Sequence, residues 1–213
     1  MSRKLLMYLF EILLLVILII FLYPFVIVFI NSAKDSFSVT QYPMKLPENW
    51  GQILVNMNTI IKSENIRYVS SFFSSAFITA VSLAVVTVFP SMAGWVLVRT
   101  KTKISQMIFF VFVAAMVIPF QIVMFPLISW FRTIYEVTGI KLLRTYTGII
   151  LAYLGFGLSL SVFMYHGFIK GIPYELEEAG IIDGCTKPAV FFKIIFPLLT
   201  PVHATICILH GIW

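Results

Sequence analysis

The sequence predicts an all-α integral membrane protein, a polytopic helical bundle, and three observations carry this prediction. Of the 213 residues, 60% are apolar and only 11% are charged, whereas a soluble domain averages about half apolar and about a quarter charged. Several uncharged apolar runs reach the roughly 20 residues that a helix needs to cross the hydrocarbon core. The charged residues stand in short groups at the ends of these runs. We therefore expect a single transmembrane domain over residues 1–213.

The first apolar run, residues 5–30, predicts a retained span rather than a cleaved signal peptide. It is longer than the about 7–15 apolar residues of a signal sequence, and no small-residue cleavage site follows it. The polar segment 31–69 comes next and contains one helix with an apolar face. That face consists of Trp50, Ile53, Leu54, Met57, Ile60 and Ile61. We expect this helix to cap the bundle, with a ligand-binding surface as the alternative.

The second and third spans are predicted at residues 70–98 and 104–130. In the second, Ala76, Ala80 and Ala84 form a ridge of small residues, which lets helix backbones approach closely in lipid. The third contains two prolines, and each frees a backbone carbonyl that must find a neighbouring helix or water. We therefore name Pro119 and the adjacent Gln121 as candidates for the translocation path, with kinked packing and a helix-to-helix hydrogen bond as the alternatives.

The fourth and fifth spans are predicted at residues 147–169 and 197–213. The fourth carries two pairs of small residues four positions apart, Gly155 with Ser159 and Gly157 with Ser161, which predicts a helix buried among others. The fifth stops at Trp213 without a polar flank. We expect that it is cut short and that a sixth span is missing.

No catalytic or metal site is predicted. His203, Cys207 and His210 share one face of the fifth run, but with no fourth ligand in view interhelical hydrogen bonds or cavity lining explain them better than a metal. Paired catalytic side chains at one membrane depth, which a membrane enzyme would need, are not evident. The net charge of +6 comes from scattered basic residues, a pattern typical of topology signals rather than of nucleic-acid binding.

The basic residues predict a cytoplasmic N-terminus. Dense groups in short segments count most under the positive-inside rule, and these are "SRK" at the start and "RTKTK" after the second span. Alternation of the spans then places residues 31–69 outside the cell. It places residues 170–196 in the cytoplasm.

That cytoplasmic segment gathers four of the nine acidic residues within ten positions, Glu175, Glu177, Glu178 and Asp183. Pro173 suits the start of a helix, early carboxylates favour its N-terminal dipole, and Gly184 suits a left-handed cap. A second helix is predicted after Thr186 as N-cap. We expect an exposed helix-turn-helix with an acidic side, which either docks into a soluble partner or is only a solvated loop.

The segment resembles the EAA loop of the permease subunits of bacterial ABC importers. The pattern of that loop is Glu-Ala-Ala, three residues, Gly, nine residues, and Ile-x-Leu-Pro. The sequence matches it in spacing from Glu178 to Pro197, with Gly180 in place of the second Ala and Phe196 in place of Leu. Ile-Asp-Gly at residues 182–184 is more similar to the carbohydrate class, the maltose-type inner-membrane components, than to the amino-acid class.

The resemblance implies how transport is driven. Spans two to five contain no Asp, Glu, Lys or Arg, which disfavours an ion-coupled carrier, and no phosphate-binding loop is present. By resemblance, two ABC ATPase subunits supply the energy, and a second permease subunit and an extracellular solute-binding protein complete an importer of a sugar in the bacterial inner membrane. The residues that would couple to the ATPase are Glu177, Glu178, Ala179, Gly180, Asp183, Gly184, Ile194 and Pro197.

Two alternatives remain open at the level of sequence. One is an ABC importer permease for a non-sugar solute, such as a polyol or a sugar phosphate. The other is a non-transport membrane scaffold or an integral membrane enzyme. A scaffold would tolerate changes at Glu178 and Gly184 without loss of uptake.

Overall fold

Long apolar runs with few helix-breaking residues form the long helices of the protein. The computed structural model describes residues 3–212, with side chains from Lys4 onward. Four long helices are α1 (Arg3–Ser32), α4 (Tyr68–Arg99), α6 (Phe120–Thr138) and α7 (Tyr146–Ile169). Shorter ones are α2 (Ser36–Gln41), α3 (Gln52–Lys62), α5 (Lys103–Ala115) and α8 (Glu175–Ile182). The last stretch comprises α9 (Lys187–Val190), a π-helical turn (Phe191–Ile195), α10 (Phe196–Leu198) and α11 (Thr200–Gly211). This architecture confirms the all-α prediction.

Within residues 3–212, three helices are long and apolar enough to cross a membrane: Lys4–Ser32, Tyr68–Arg99 and Tyr146–Ile169. Two further pairs qualify only if each bent pair counts as one span, α5 with α6 at 107° and Lys187–Leu198 with α11 at 73°. The predicted third span is therefore not one continuous kinked helix, because the chain breaks between Ala115 and Phe120. The count of five spans stays a prediction, and Trp213 lies outside the described residues.

The chain falls into two compact units, Met1–Phe73 and Ser74–Trp213. In the first unit, the buried Lys34 ammonium donates to Asn31 Oδ1 at 2.8 Å and to the Tyr42 carbonyl at 2.9 Å. Asn56 on α3 donates to the carbonyls of Ser32 and Lys34 at 2.9 and 2.8 Å. The bond to Ser32 satisfies a carbonyl at the end of α1, and the two Asn56 bonds hold α3 against the end of α1.

In the second unit, the core lies between α7 and the last helical stretch. Its fully buried side chains include Tyr165 and Ile169 on α7, and Phe191, Ile195 and Ile206 further along. The π-helical turn contributes two of these residues, so the irregular segment faces inward. The core thus ties the segment after α8 directly to the long helix before it.

The face of α4 that packs inward is not the alanine ridge. Ala76, Ala80 and Ala84 are exposed, which corrects the prediction for this helix. The buried residues of α4 are Ser82, Val86, Thr87, Pro90, Ser91 and Gly94. Small polar residues therefore replace alanine as the close-packing surface.

Glycine permits a close approach of α4 to α7 at Gly94. A Cβ added there would stand 2.9 Å from Tyr165 Cβ and 3.2 Å from the backbone nitrogen of His166. On α7, the predicted pair Gly157 and Ser161 is buried, whereas Gly155 of the other pair is exposed. Helices α4 and α7 therefore meet through small residues. The prediction for α7 holds for the pair Gly157 and Ser161 but not for Gly155.

Candidate functional site

Helix α8 begins and ends as its residues predict. It runs from Glu175 to Ile182, and Gly184 takes a left-handed conformation with φ of 84°. The Gly184 and Cys185 amides donate to the carbonyls of Ile181 and Gly180 at 3.0 and 2.9 Å. This pair of bonds is a Schellman cap, which ends the helix at a residue that favours glycine.

The inward face of α8 carries a buried carboxylate. Glu177 is 3% exposed, and its Oε1 lies 2.6 Å from Arg99 Nε at the end of α4. The Trp95 indole nitrogen, one helical turn earlier, donates to Glu177 Oε2 at 3.0 Å. Both carboxylate oxygens therefore have a donor, as a buried charge requires.

The Arg99 guanidinium also reaches the chain that leads into α8. Its Nη2 donates to the Ile172 carbonyl at 3.1 Å, and its carbon lies 5.5 Å from the centre of the Tyr174 ring. One side chain thus binds the connection after α7 and the first turn of α8. This cluster of Trp95, Arg99, Ile172, Tyr174 and Glu177 is called the loop anchor below.

The loop anchor corrects one prediction, the placement of Glu177 on an exposed acidic side. Arg99, which belongs to the basic group that predicts a cytoplasmic segment, is held in an ion pair rather than free in solvent. Glu177 is buried because it lies on the same face of α8 as Gly180, three residues on, and this face packs against the bundle. A sequence signal was available in the spacing of Trp95 and Arg99, which share a helix face at i and i+4 and need a polar partner for the indole N–H.

Gly180 has a packing reason to stand where the EAA pattern has alanine. A Cβ there would lie 2.5 Å from Ile194 Cδ1 and 3.4 Å from Val190 Cγ2. The predicted coupling residue Ile194 therefore fills the space beside Gly180. The two positions that the motif separates by thirteen residues meet side by side.

The outward face of α8 is mixed apolar and acidic. Glu175, Glu178, Ala179 and Asp183 are exposed, as predicted for the docking side. Apolar side chains lie among them, and Ile182 is 84% exposed. The other exposed apolar residues of this face are Tyr174, Leu176 and Ile181. Pro197, in α10, is also exposed.

The candidate path residues lie at the bend between α5 and α6. Pro119 precedes α6 as its N-cap residue, and Gln121 is exposed in the first turn of that helix. The two residues are near neighbours at this bend, and neither lines the cavity among α4, α7 and α11.

The polar face of α11 bonds to neighbouring helices. His203 Nδ1 lies 2.6 Å from the Tyr165 hydroxyl, and His210 Nε2 lies 3.0 Å from Ser161 Oγ. Cys207 Sγ lies 3.7 Å from Thr87 Oγ1. Each predicted member of this face has an interhelical partner, so the interhelical reading of these residues is confirmed.

Comparison with known proteins defines the class. The family "Binding-protein-dependent transport system inner membrane component" matches residues 87–213, more than half of the chain. The chain belongs to this family, which confirms the family resemblance and places the chain among membrane transport components rather than enzymes. It is a multi-pass protein of the inner membrane.

Several curated relatives are sugar permeases by name. The chain is 36% identical over 198 residues to the probable starch degradation products permease AmyC of Thermoanaerobacterium thermosulfurigenes, covering 93% of this chain and 68% of AmyC. It is 35% identical over 145 residues to the melibiose, raffinose and stachyose import permease MelC of Bacillus subtilis, covering 68% of this chain and 50% of MelC. The chain thus spans about half the length of MelC.

A solved structure shares the fold. A chain of a bacterial ABC transporter involved in the import of the acidic polysaccharide alginate superposes with a TM-score of 0.82 at 20% identity. The match covers 100% of this chain and 72% of that one. This likeness confirms the permease-type helical fold.

Proposed function

We propose that this chain is the transmembrane subunit of an ATP-driven, binding-protein-dependent importer that forms the translocation path for a sugar. Its family membership and the sugars in the names of AmyC and MelC support this. Its partners are two ABC ATPase subunits, a second permease subunit and an extracellular solute-binding protein. The N-terminus is cytoplasmic, so that residues 31–69 lie outside and residues 170–196 inside.

Coupling to the ATPase takes place through the outward face of α8. The observation that carries this proposal is that α8 has two unlike faces, one fixed to α4 by the loop anchor and one left exposed with carboxylates among apolar side chains. A partner that moves α8 therefore moves α4 with it. The partner contributes by contacting two states of the bundle with different affinity.

Cysteine cross-linking in membranes tests the contact. Cys185 and Cys207 are first replaced by serine, and a cysteine is placed at Ala179 in the importer assembled with its cognate ATPase subunit. A short bifunctional maleimide is expected to link Ala179→Cys to the ATPase, and Gly184→Trp is expected to abolish the link, because φ of 84° suits only glycine well.

Val137→Cys provides the matched control. Val137 is 80% exposed near the end of α6, which the proposed topology places on the opposite side of the membrane. A link from Val137→Cys, or none from Ala179→Cys in a properly inserted chain, would contradict the proposal. Uptake of radiolabelled neutral sugars by proteoliposomes that hold the assembled importer checks the transport activity.

A further inference from the structure

Helix α3 packs within the first unit through its polar side. The Asn56 side chain accepts from Gln52 Nε2 at 3.1 Å and donates to the carbonyls of Ser32 and Lys34. These two carbonyls lie at the end of α1 and just beyond it. The polar side of α3 is therefore already occupied by protein.

The apolar side of α3, together with the turn before it, is exposed. Residues 50, 53, 54, 57, 60 and 61 recur at the spacing of one helix face. All but Ile53 are exposed, namely Trp50, Leu54, Met57, Ile60 and Ile61, and Leu54 is the most exposed of them at 69%. A contiguous apolar surface of this kind marks a contact with a membrane or with another protein. We call these six residues the apolar face of α3.

The start of this face lies beside the last turns of α1. The centre of the Trp50 ring is 5.8 Å from the centre of the Phe29 ring. Further down α1, the Tyr23 hydroxyl donates to Met44 Sδ at 3.0 Å. The apolar run 5–30 is longer than the roughly 20 residues that cross the hydrocarbon core, so its last turn reaches the headgroup region. Trp50 therefore lies at the depth where tryptophan is enriched in membrane proteins.

A bilayer suits the apolar face of α3 better than a protein partner does. Protein interfaces carry about one hydrogen bond per 100–200 Å², whereas the side chains of this face offer no nitrogen or oxygen apart from the Trp50 indole N–H. Acyl chains need no such groups. From Trp50 to Lys62 the sequence has one charged residue, Lys62 itself, in the last turn of α3. Its flexible stem lets the ammonium reach the headgroups from there.

We infer that α3 lies in the membrane interface, with its apolar face in the acyl-chain boundary of the leaflet in which α1 ends. Helices of this kind bury an apolar face about 5–10 Å deep. Because Asn56 bonds α3 to the end of α1, α3 fixes the depth of that end in the bilayer. The inference concerns a lipid contact and depends neither on the transported solute nor on the ATPase.

The accessibility of a spin label provides the first test. The assembled importer, with Cys185 and Cys207 replaced by serine, carries a nitroxide at Leu54→Cys and is reconstituted into nanodiscs. Electron paramagnetic resonance measures its accessibility to oxygen, which concentrates in lipid, and to a nickel chelate, which stays in water. The ratio of oxygen to nickel accessibility is expected to be several-fold higher at Leu54→Cys than at Thr59→Cys. Thr59 is the matched control, because it is exposed on the polar side of the same helix.

The two accessibilities at Leu54→Cys identify what covers the face. High accessibility to oxygen with low accessibility to nickel supports the lipid contact. Low accessibility to both reagents means that a protein covers the face, whether the second permease subunit or the solute-binding protein. Nickel accessibility equal to that at Thr59→Cys means that water covers it. Either of the last two results would overturn the inference.

A charge on the face tests whether the face sets the depth of α3. A label at Met57→Cys reports the accessibility ratio before and after Leu54→Asp, because a carboxylate is unfavourable among acyl chains. The ratio at Met57→Cys is expected to fall several-fold, whereas Thr59→Asp, the matched control, is expected to leave it unchanged. Leu54 and Thr59 are both exposed, so neither change disturbs the packing of the first unit. An unchanged ratio in Leu54→Asp would show that other contacts hold α3 at its depth, contrary to the inference.

Discussion

At the scale of single residues, the Glu177 carboxylate holds α8 to α4 through two donors on one helix face. Arg99 and Trp95 bind different oxygens of the carboxylate, so rotation of either side chain is restricted. A buried ion pair of this kind is a weak source of net stability, because both charges have lost their water. Removing one partner is costly all the same, since the other charge then stays buried alone.

Replacing Glu177 tests the loop anchor. Glu177→Gln keeps the shape of the side chain but leaves the Arg99 charge facing a neutral amide, and the amide NH2 must then face one of the two donors, Arg99 Nε or the Trp95 N–H. We expect a loss of about 3 kcal/mol in the free energy of unfolding, measured by chemical denaturation in detergent. Glu178→Gln, one residue on and exposed, is expected to change it by less than about 0.5 kcal/mol.

A double-mutant cycle adds a second readout. The double variant Arg99→Gln, Glu177→Gln should lose much less free energy of unfolding than the sum of the losses in the two single variants, because both single changes remove the same interaction. Equal losses for Glu177→Gln and Glu178→Gln would contradict the role of Glu177 as the buried member.

Whether the sequence predicts the contacts of a single residue depends on how far apart along the chain the contacting residues are. The cap at Gly184 was predictable, because the helix end and the glycine are neighbours in the chain. The Glu177 partner was not, because Arg99 is 78 residues away and three adjacent glutamates look alike in composition. The reason for glycine at position 180 was not predictable either, because it depends on how Ile194 of the following helical stretch packs against α8.

At the scale of elements, helices α4 and α7 approach through Gly94. Its missing side chain leaves room for the Tyr165 Cβ and the backbone at His166. Dispersion contacts and small residues, rather than the hydrophobic effect, hold helices together in lipid. A methyl group added at Gly94 therefore pushes α4 and α7 apart.

Substituting alanine at Gly94 tests this contact. Gly94→Ala is expected to reduce the free energy of unfolding by about 1–3 kcal/mol through overpacking, measured by thermal unfolding of the purified importer. Gly155→Ala on α7 is the matched control, since nothing lies within 4 Å of an added Cβ there. It is expected to be neutral or to stabilise by up to about 1 kcal/mol through helix propensity. A loss at Gly155→Ala as large as at Gly94→Ala would show that spacing is not the cause.

The elements themselves were largely predictable, and their faces were not. Long apolar runs gave α1, α4 and α7, because length and composition are local properties. An apolar helix in lipid has no polar side that marks its exterior. From the sequence, the alanine ridge and the face from Ser82 to Gly94 were therefore equally plausible as the packing surface of α4. The break before Phe120 was read as a kink, since proline alone does not say how far the chain turns.

At the scale of the whole molecule, the proposed importer works only if the exposed carboxylates of α8 meet an ATPase. Charges on the rim of an interface mainly set the rate and the salt dependence of association. They contribute little to the stability of the chain that carries them. Docking and folding are therefore separable at this surface.

Neutralising the docking face tests that separation. The triple variant Glu175→Gln, Glu178→Gln and Asp183→Asn is expected to unfold within about 0.5 kcal/mol of the wild type. Its association with the ATPase, followed by surface plasmon resonance at rising salt, should slow by about tenfold and lose salt dependence. The matched control neutralises Glu48, Glu64 and Glu136, which are exposed elsewhere, and should associate like the wild type. The same slow association in both variants would point to net charge rather than to α8.

Pro90 gives α4 a further property. It is fully buried within the helix, between Ser82 and Arg99, and it has no N–H to bond to the Val86 carbonyl. The missing hydrogen bond makes Pro90 the position at which α4 bends most easily. If the proposed partner displaces α8, the part of α4 between Pro90 and Arg99 would move with it, and bending at Pro90 would limit how far that displacement extends toward the N-terminal half of the helix.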